Sequence, residues 1–386
     1  MKNISDTEAY TLFDHAFSKT VRSLSHVIGL KKITQPFWNR WRASGVDEAI
    51  IFRFLDSVGT IDGWADTAKS VVRDEIAAFD ARRAKLTREQ EIRQLRDLSY
   101  ICNMAQWGCL PLTDDRRALY AKCRDYYVEA ETLAFAQNYQ RIEIPFQGKT
   151  LYGNLHVKDG AAPLTVIIHG IDGCKEEHLA TELALYDNGF STLCFDGPGQ
   201  AESLLLNGML WTGDFYKSIS AAIDRVGELH GADVSRTGAL GISIGGMWAL
   251  RAAADDARIA AVFDVGGPIH TRAFPKLPFL IKTRMCQVTG AREGNAISAI
   301  LGQNNIEDEA TLSRIRASVR MLHGSRDRVV AVADKEWLLQ RLQGFAAHRH
   351  LSLRVIEGGD HCCTGHFNAV RQDLVQFFKE ELLADG

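Results

Sequence analysis

Ser243 lies in the run Gly241-Ile242-Ser243-Ile244-Gly245-Gly246, a G-x-S-x-G pattern in which a strand turns sharply into a helix and leaves a serine hydroxyl exposed. Its flanks suit that turn: 237–240 reads as a short buried strand and 247–254 as a helix. Small residues around the serine let the two backbones cross closely. A serine hydroxyl is a weak nucleophile near neutral pH and needs an adjacent base, itself oriented by an acid. On a scaffold of this kind the partners follow in the order serine, acid, histidine. The chain supplies Asp327 in His323-Gly324-Ser325-Arg326-Asp327 and His361 in Glu357-Gly358-Gly359-Asp360-His361, each just past a short apolar run. Both would stand at strand carboxyl ends, where open α/β sheets bind ligands. Asp360 adjoins the histidine, but consecutive residues point in different directions, so Asp327 ranks above it as the orienting acid.

Attack on a carbonyl creates an oxyanion, which needs backbone N–H donors set in place beforehand. Ile244, directly after the serine, supplies one. The second is expected from the loop His169-Gly170-Ile171-Asp172-Gly173, with Ile171 the choice and Asp172 the alternative. Asp172, Lys175, Glu176, Asp264 and His270 are the further candidates for contact with substrate. Cys362-Cys363 follows the histidine, and without more ligands at suitable spacing the pair reads as packing thiols. No metal and no cofactor is expected.

Two kinds of element must hold these residues. From 6 to about 138, apolar residues recur at three- and four-residue spacing, as in 49–55, 65–79, 89–98 and 116–136, which predicts helices. Gly29, Pro36, Gly45, Gly59, Gly63 and the turn Gly108-Cys109-Leu110-Pro111 separate them. Thr87-Arg88-Glu89-Gln90 has the form of a capping box. The cluster Trp38-Asn39-Arg40-Trp41-Arg42 reads as two indoles packed into a core with the arginines left in water. At Arg141 the period changes to alternation. Segments 141–146 and 150–157 flank a turn at 147–149, which predicts a β-hairpin and a boundary between a helical domain, 1–140, and an α/β domain, 141–386. Short apolar runs at 164–168, 191–195, 237–240, 260–264, 318–322 and 351–356 then alternate with helical stretches. That alternation argues for a mainly parallel sheet with helices on both faces. An insertion rich in Pro, Gly and Arg, about 267–316, sits where such sheets often carry a lid.

With 386 residues, 46% hydrophobic and 24% charged, the chain can bury a large core. A formal net charge of -3 gives no general attraction to nucleic acid or to anionic membranes. No apolar run approaches a membrane span, and the first residues lack the apolar stretch of a secretory signal. Eight cysteines are scattered with no C-x-x-C pair, as expected for reduced thiols in a cytoplasmic protein.

The run Phe195-Asp196-Gly197-Pro198-Gly199-Gln200-Ala201-Glu202-Ser203, with Gly173-Cys174-Lys175-Glu176-Glu177 and the elbow, resembles the 2,6-dihydroxypseudooxynicotine hydrolase group. These are α/β-hydrolases with an N-terminal helical domain, related to fungal yellowish-green polyketide-shortening hydrolases and to fermentation-respiration switch proteins. The resemblance covers nearly the whole chain. It implies the α/β-hydrolase fold, a helical cap or dimerisation domain, a homodimer, and a serine-dependent hydrolase that cleaves a carbon–carbon bond beside a ketone and releases a carboxylic acid. An aromatic or polyketide-like small molecule is the implied partner. Ser243, Asp327 and His361 match the family's triad. Two departures stand out: Ala201 replaces the usual glycine, and the extra glutamate of the nicotine-pathway enzyme has no equivalent that can be placed, with Asp264 and Glu293 the nearest substitutes. An ester or thioester hydrolase, or an acyl transferase on a bulky substrate, needs the same triad. A non-catalytic binding protein would be expected to have lost one of its members, and all three are present.

Overall fold

The computed structural model describes residues 12–383 apart from 110, 159–161, 212, 273–276, 278 and 346–349. The expected helical start at 6–11, Leu110 of the expected turn and part of the insertion thus lie outside the described residues. Five α-helices come first: Leu12–Ala43, Glu48–Val58, Trp64–Arg82, Arg88–Gly108 and Asp114–Phe135. Their apolar spacing does what it predicts. In Glu48–Val58 the buried set is Ile50, Ile51, Phe54, Leu55 and Val58, one face of a helix, and it packs with Trp41, Trp64 and Val72. Thr87 and Gln90 cap Arg88–Gly108 reciprocally. Gly29 sits within Leu12–Ala43 at non-helical φ 79°, ψ 158°, so it interrupts that stretch at a kink, as expected of a breaker.

The sheet begins immediately after. Strands β1 (Tyr139–Phe146) and β2 (Lys149–His156) form an antiparallel hairpin. Its turn is shorter than expected: Gln147 and Gly148 alone make it, both at positive φ, as a two-residue turn of the primed type requires, and Lys149 already pairs with Phe146. β3 (Pro163–Ile168), β4 (Ser191–Asp196), β5 (Asp233–Ile242), β6 (Ile259–Val265), β7 (Ser318–Gly324) and β8 (Leu351–Ile356) follow. The order across the sheet is β1-β2-β4-β3-β5-β6-β7-β8. From β4 to β8 every neighbour is parallel, and β2 meets β4 antiparallel. β3 and β4 are buried along their whole length, because helices cover both faces. The chain has the α/β-hydrolase fold. Between β6 and β7 the insertion forms the helices Phe279–Thr289, Gly294–Gly302 and Glu309–Leu312. No helix among the described residues is long and apolar enough to cross a membrane.

The helical segment is joined to the sheet by buried contacts. Tyr120 packs with Cys174 and Leu205, and Tyr127 with Tyr139 and Leu179. The tryptophan cluster departs from expectation in one residue. Trp41 is buried, Trp38 half-buried against Phe52 and Arg42 exposed, but Arg40 is not left in water. Its side chain is 20% exposed and held between two carboxylates of the α/β part. Burial opposes its charge, yet Asp172 and Glu177 outweigh that and raise its pKa further.

A chain beginning at residue 138 would strip Tyr120, Tyr127 and Arg40 from their buried partners and expose Cys174, Leu179 and Glu177. It is expected to aggregate, or to persist only as a weak esterase on small activated esters. Size-exclusion chromatography with a thermal melt tests this; a soluble, cooperatively melting fragment with full activity on large substrates would contradict it.

Candidate active site

β5 ends at Ile242, and the helix Ile244–Asp255 starts two residues on. Ser243 between them sits at φ 55°, ψ -130°, a backbone conformation that costs energy for any residue with a Cβ. Its neighbours explain how the turn closes. A Cβ at Gly241 would stand 2.4 Å from the Gly246 Cα, one at Gly245 2.0 Å from the Ile168 oxygen, and one at Gly246 2.0 Å from Asp264 Oδ1. Only glycine lets helix, β5 and the end of β3 pass so closely.

The Ser243 hydroxyl lies 2.9 Å from His361 Nε2, and His361 Nδ1 lies 2.8 Å from Asp327 Oδ2. Asp327 follows β7 and its Oδ1 accepts from the N–H groups of Val329 and Val330, at 2.7 and 3.0 Å. Burial opposes ionisation of this carboxyl, but His361 and the two N–H groups prevail and lower its pKa. Burial likewise disfavours the imidazolium of His361, while Cys362 and Asp327 more than compensate and hold it well above the ordinary histidine value. Asp360 turns elsewhere and accepts from the Thr364 hydroxyl at 2.7 Å. Cys362 and Cys363, both at positive φ, form the tight turn after the histidine. This arrangement can deliver a serine nucleophile to a carbonyl, with the imidazole as base.

The loop after β3 lies against the serine: a Cβ on Gly170 would be 3.4 Å from that of Ser243. Ile171 and Asp172 face the same cavity. Support comes from below through the F-D-G-P-G-Q run. Gln200 donates from Nε2 to the carbonyls of His169 and Gly170, at 2.9 and 3.0 Å, while its own carbonyl accepts from Gly197 N–H at 2.9 Å. Asp196 Oδ1 lies 2.9 Å from His169 Nε2 and accepts from Lys175 N–H at 2.9 Å. Support from the side comes from the helical segment. Arg40 donates to Asp172 Oδ2 at 2.7 Å and to Glu177 Oε2 at 2.7 Å. Trp107 Nε1 donates to Asp172, and Asn103 to Glu177 at 2.8 Å. Burial opposes the Asp172 carboxylate, but Arg40 and Arg284 lower its pKa to about 2.

Several substrate-contact candidates therefore have other work. Lys175 is fully buried, with Nζ 3.0 Å from Asp196, 2.7 Å from Glu202 and 2.8 Å from Glu176. Neither Lys175 nor Glu176 lines the cavity; they brace the loop from behind. Asp264 is also absent from the wall, since its carboxylate pairs with Lys335 and accepts from Gly267 N–H. Glu293 is exposed at the start of the helix Gly294–Gly302. Asp172 and His270 do line the cavity. Cys123, Cys174 and Glu176 lie within metal-ligand distance of one another. Burial holds the Cys174 thiol well above its usual range and the Lys175 ammonium already occupies Glu176, so the set suits packing better than a cation. Arg40, Glu177, Asp196 and Gln200 are the positioning residues that sequence reasoning missed. Three of them stand in runs already noted as distinctive, but their partners are distant in sequence.

The cavity measures about 500 Å³, a size typical of small-molecule sites. Phe37, Arg40 and Ser44 of the helical segment and Ile281 and Met285 of the insertion complete its wall.

No family model matches the chain. Over 355 residues it is 26% identical to a 2,6-dihydropseudooxynicotine hydrolase of Paenarthrobacter nicotinovorans, covering 90% of this chain and 92% of that one. A hydrolase of a Fusarium species, LUC6, is 36% identical over 142 residues, 34% of either chain. The crystal structure of the 2,6-dihydroxy-pseudo-oxynicotine hydrolase superposes with a TM-score of 0.77 at 25% identity, over 90% of this chain and 96% of that one. AbyA5 superposes at 0.70 with 18% identity over 96% of this chain and 95% of that one, a likeness of fold.

A protonated His361 cannot accept a proton, so its raised pKa places the acid limb of kcat/KM above pH 6.5, with activity lost as pH falls through it. Asp327→Asn is expected to lower the rate about a thousand- to ten-thousandfold and to move that limb downward. A pH–rate profile that leaves the limb in place would detach Asp327 from this role.

Arg40→Gln leaves two carboxylates without their shared cation and frees the loop beside Ser243. Since small misplacements can cost about a hundredfold, kcat is expected to drop ~10- to 100-fold with a smaller change in KM. Arg40→Lys should restore little, because an ammonium lacks the planar fork that spans both acids. Steady-state kinetics on one ester measures the split.

Proposed function

We propose that this chain, which over 90% of its length is similar to a 2,6-dihydropseudooxynicotine hydrolase, is a serine hydrolase acting on the carbonyl of a bulky acyl substrate. The observation that carries this is the unbroken hydrogen-bonded chain from Ser243 through His361 to Asp327, open to a cavity with a largely apolar wall. Ser243 Oγ attacks the carbonyl carbon as His361 Nε2 takes its proton. The N–H groups of Ile244 and Ile171 hold the oxyanion. As the tetrahedral species collapses, the bond to the leaving group breaks and His361 returns the proton to it. Water, activated by the same histidine, then releases the acid and regenerates the serine.

We place a carbon–carbon bond beside a ketone first among the bonds cleaved. Its leaving carbon carries negative charge, so the departing fragment must be one that delocalises it, as an acylphenol or a β-diketone does. The substrate is then aromatic or polyketide-like. A second reading is an ester or thioester hydrolase or acyl transferase. It draws on Asp264 being tied to Lys335 and on the exposure of Glu293, which leave neither acid to assist a reluctant carbon leaving group. In both readings residues 1–140 act as a cap or dimerisation domain over the catalytic domain 141–386, with about 267–316 as a lid, in a homodimer.

A fluorophosphonate probe is expected to label the protein and to spare Ser243→Ala; persistent labelling of the variant would remove Ser243 from its role. A β-diketone or acylphenol should turn over at a rate comparable to an ester of matched size. Turnover of activated esters with every such ketone left untouched would favour the second reading.

A further inference from the structure

The cavity wall carries two arginines in different circumstances. Arg40 is answered by Asp172 and Glu177. Arg371, on the helix Phe367–Phe378, makes no ion pair with a described carboxylate. One terminal nitrogen donates to the carbonyl of Ala43 at 2.7 Å, the last residue of its helix, where the backbone dipole is negative. Its Nε is buried with no hydrogen-bond partner. Burial pushes the guanidinium below the ordinary arginine range, and the Tyr100 phenol acts weakly the other way. A guanidinium does not give up its proton in a protein, so the charge persists. Phe367, whose ring centre lies 5.7 Å from the guanidinium, Val370 and Leu374 of the same helix share the cavity lining and offer it no formal counter-charge. Asp360, at the triad end of the cavity, is engaged by Thr364.

A charge held in this way is costly unless paired. Capping the helix uses one of five N–H donors and the Nε–H is enclosed, which leaves terminal N–H groups for an anionic oxygen pair. We infer that Arg371 receives a negatively charged group at the end of the substrate remote from the carbonyl attacked by Ser243. The preferred substrates are then acyl donors bearing a carboxylate or a phenolate. The inference rests on the serine hydrolase reading for the orientation it gives the substrate, and it adds a charge requirement which that reading does not contain.

The test compares 4-nitrophenyl monoesters of adipic and suberic acid with 4-nitrophenyl esters of monoacids of matched length. A hydroxyphenyl-alkanoate ester, assayed on either side of its phenol's ionisation, separates phenolate from carboxylate. In the wild type one anionic series is expected to be preferred, and Arg371→Gln should reduce the anionic-to-neutral ratio of kcat/KM about 10- to 100-fold. An unchanged ratio for both kinds of anion would overturn the inference while leaving the hydrolase reading intact. If loss of the Ala43 contact prevents Arg371→Gln from folding, Arg371→Lys takes its place, with the ratio expected to fall about threefold or more through loss of the fork; no fall would count against the proposal. Calorimetric binding of adipate to Ser243→Ala, with and without Arg371→Gln, needs no turnover. An affinity loss of about tenfold supports the site even if Ser243 proves not to be the nucleophile; equal affinities, together with an unchanged ratio for the hydroxyphenyl ester, overturn it.

Discussion

The close passage of the helix Ile244–Asp255 over the end of β3 is the constraint on which the site depends. With a glycine at 245, the backbone comes so near the Ile168 carbonyl that a Cβ would stand 2.0 Å away. This contact brings the loop after β3 and the turn after β5 side by side, so the expected oxyanion donors and the serine hydroxyl share one corner. Parallel pairing of β5, β6, β7 and β8 then delivers Asp327 and His361 to the same edge. The strained dihedrals of Ser243 persist because glycine packing leaves the chain no other course.

Much of the surrounding structure stabilises that corner with buried charge. Glu202, Glu176 and Asp196 face Lys175, and Arg124 and Arg141 add to Glu202. Three carboxylates thus meet three cations. Such a group contributes little net stability relative to apolar packing, but removing one member typically costs about 3–5 kcal/mol. Its value lies in direction: Asp196 orients His169 and the start of the loop, and Lys175 can occupy only one place among its acids. Arg40 repeats the device from the opposite side. The helical segment therefore serves as a wall of the cavity and as a brace for the loop at once.

Legibility in the sequence varied with the range of the interaction. The elbow, the hairpin, the capping box at Thr87 and the strand runs depend on neighbours a few residues apart, and local pattern revealed them. The order serine, acid, histidine along a strand–helix alternation brought out the three residues that the structure joins by hydrogen bonds. The runs containing Lys175 and Asp196 were visible as distinctive, yet Lys175 and Glu176, candidates for substrate contact, lie behind the loop and outside the cavity wall. A charged residue near a loop looks the same in sequence whether it faces a ligand or a buried counter-ion.

Hydrophobic spacing in the sequence by itself determined the fold class, and the G-x-S-x-G motif with the ordered acid and histidine picked out the residues able to form a nucleophile, a base and an orienting acid. These follow from hydrophobic spacing and from the directionality of parallel strands, which are properties of the chain as written. Tertiary structure alone decided which charges are spent on architecture and which face the cavity. Arg40 meets partners more than 130 residues away, and Arg371 meets Ala43 across a separation of 328. No local signal encodes such pairings, because whether a charge is neutralised depends on what the fold places opposite it.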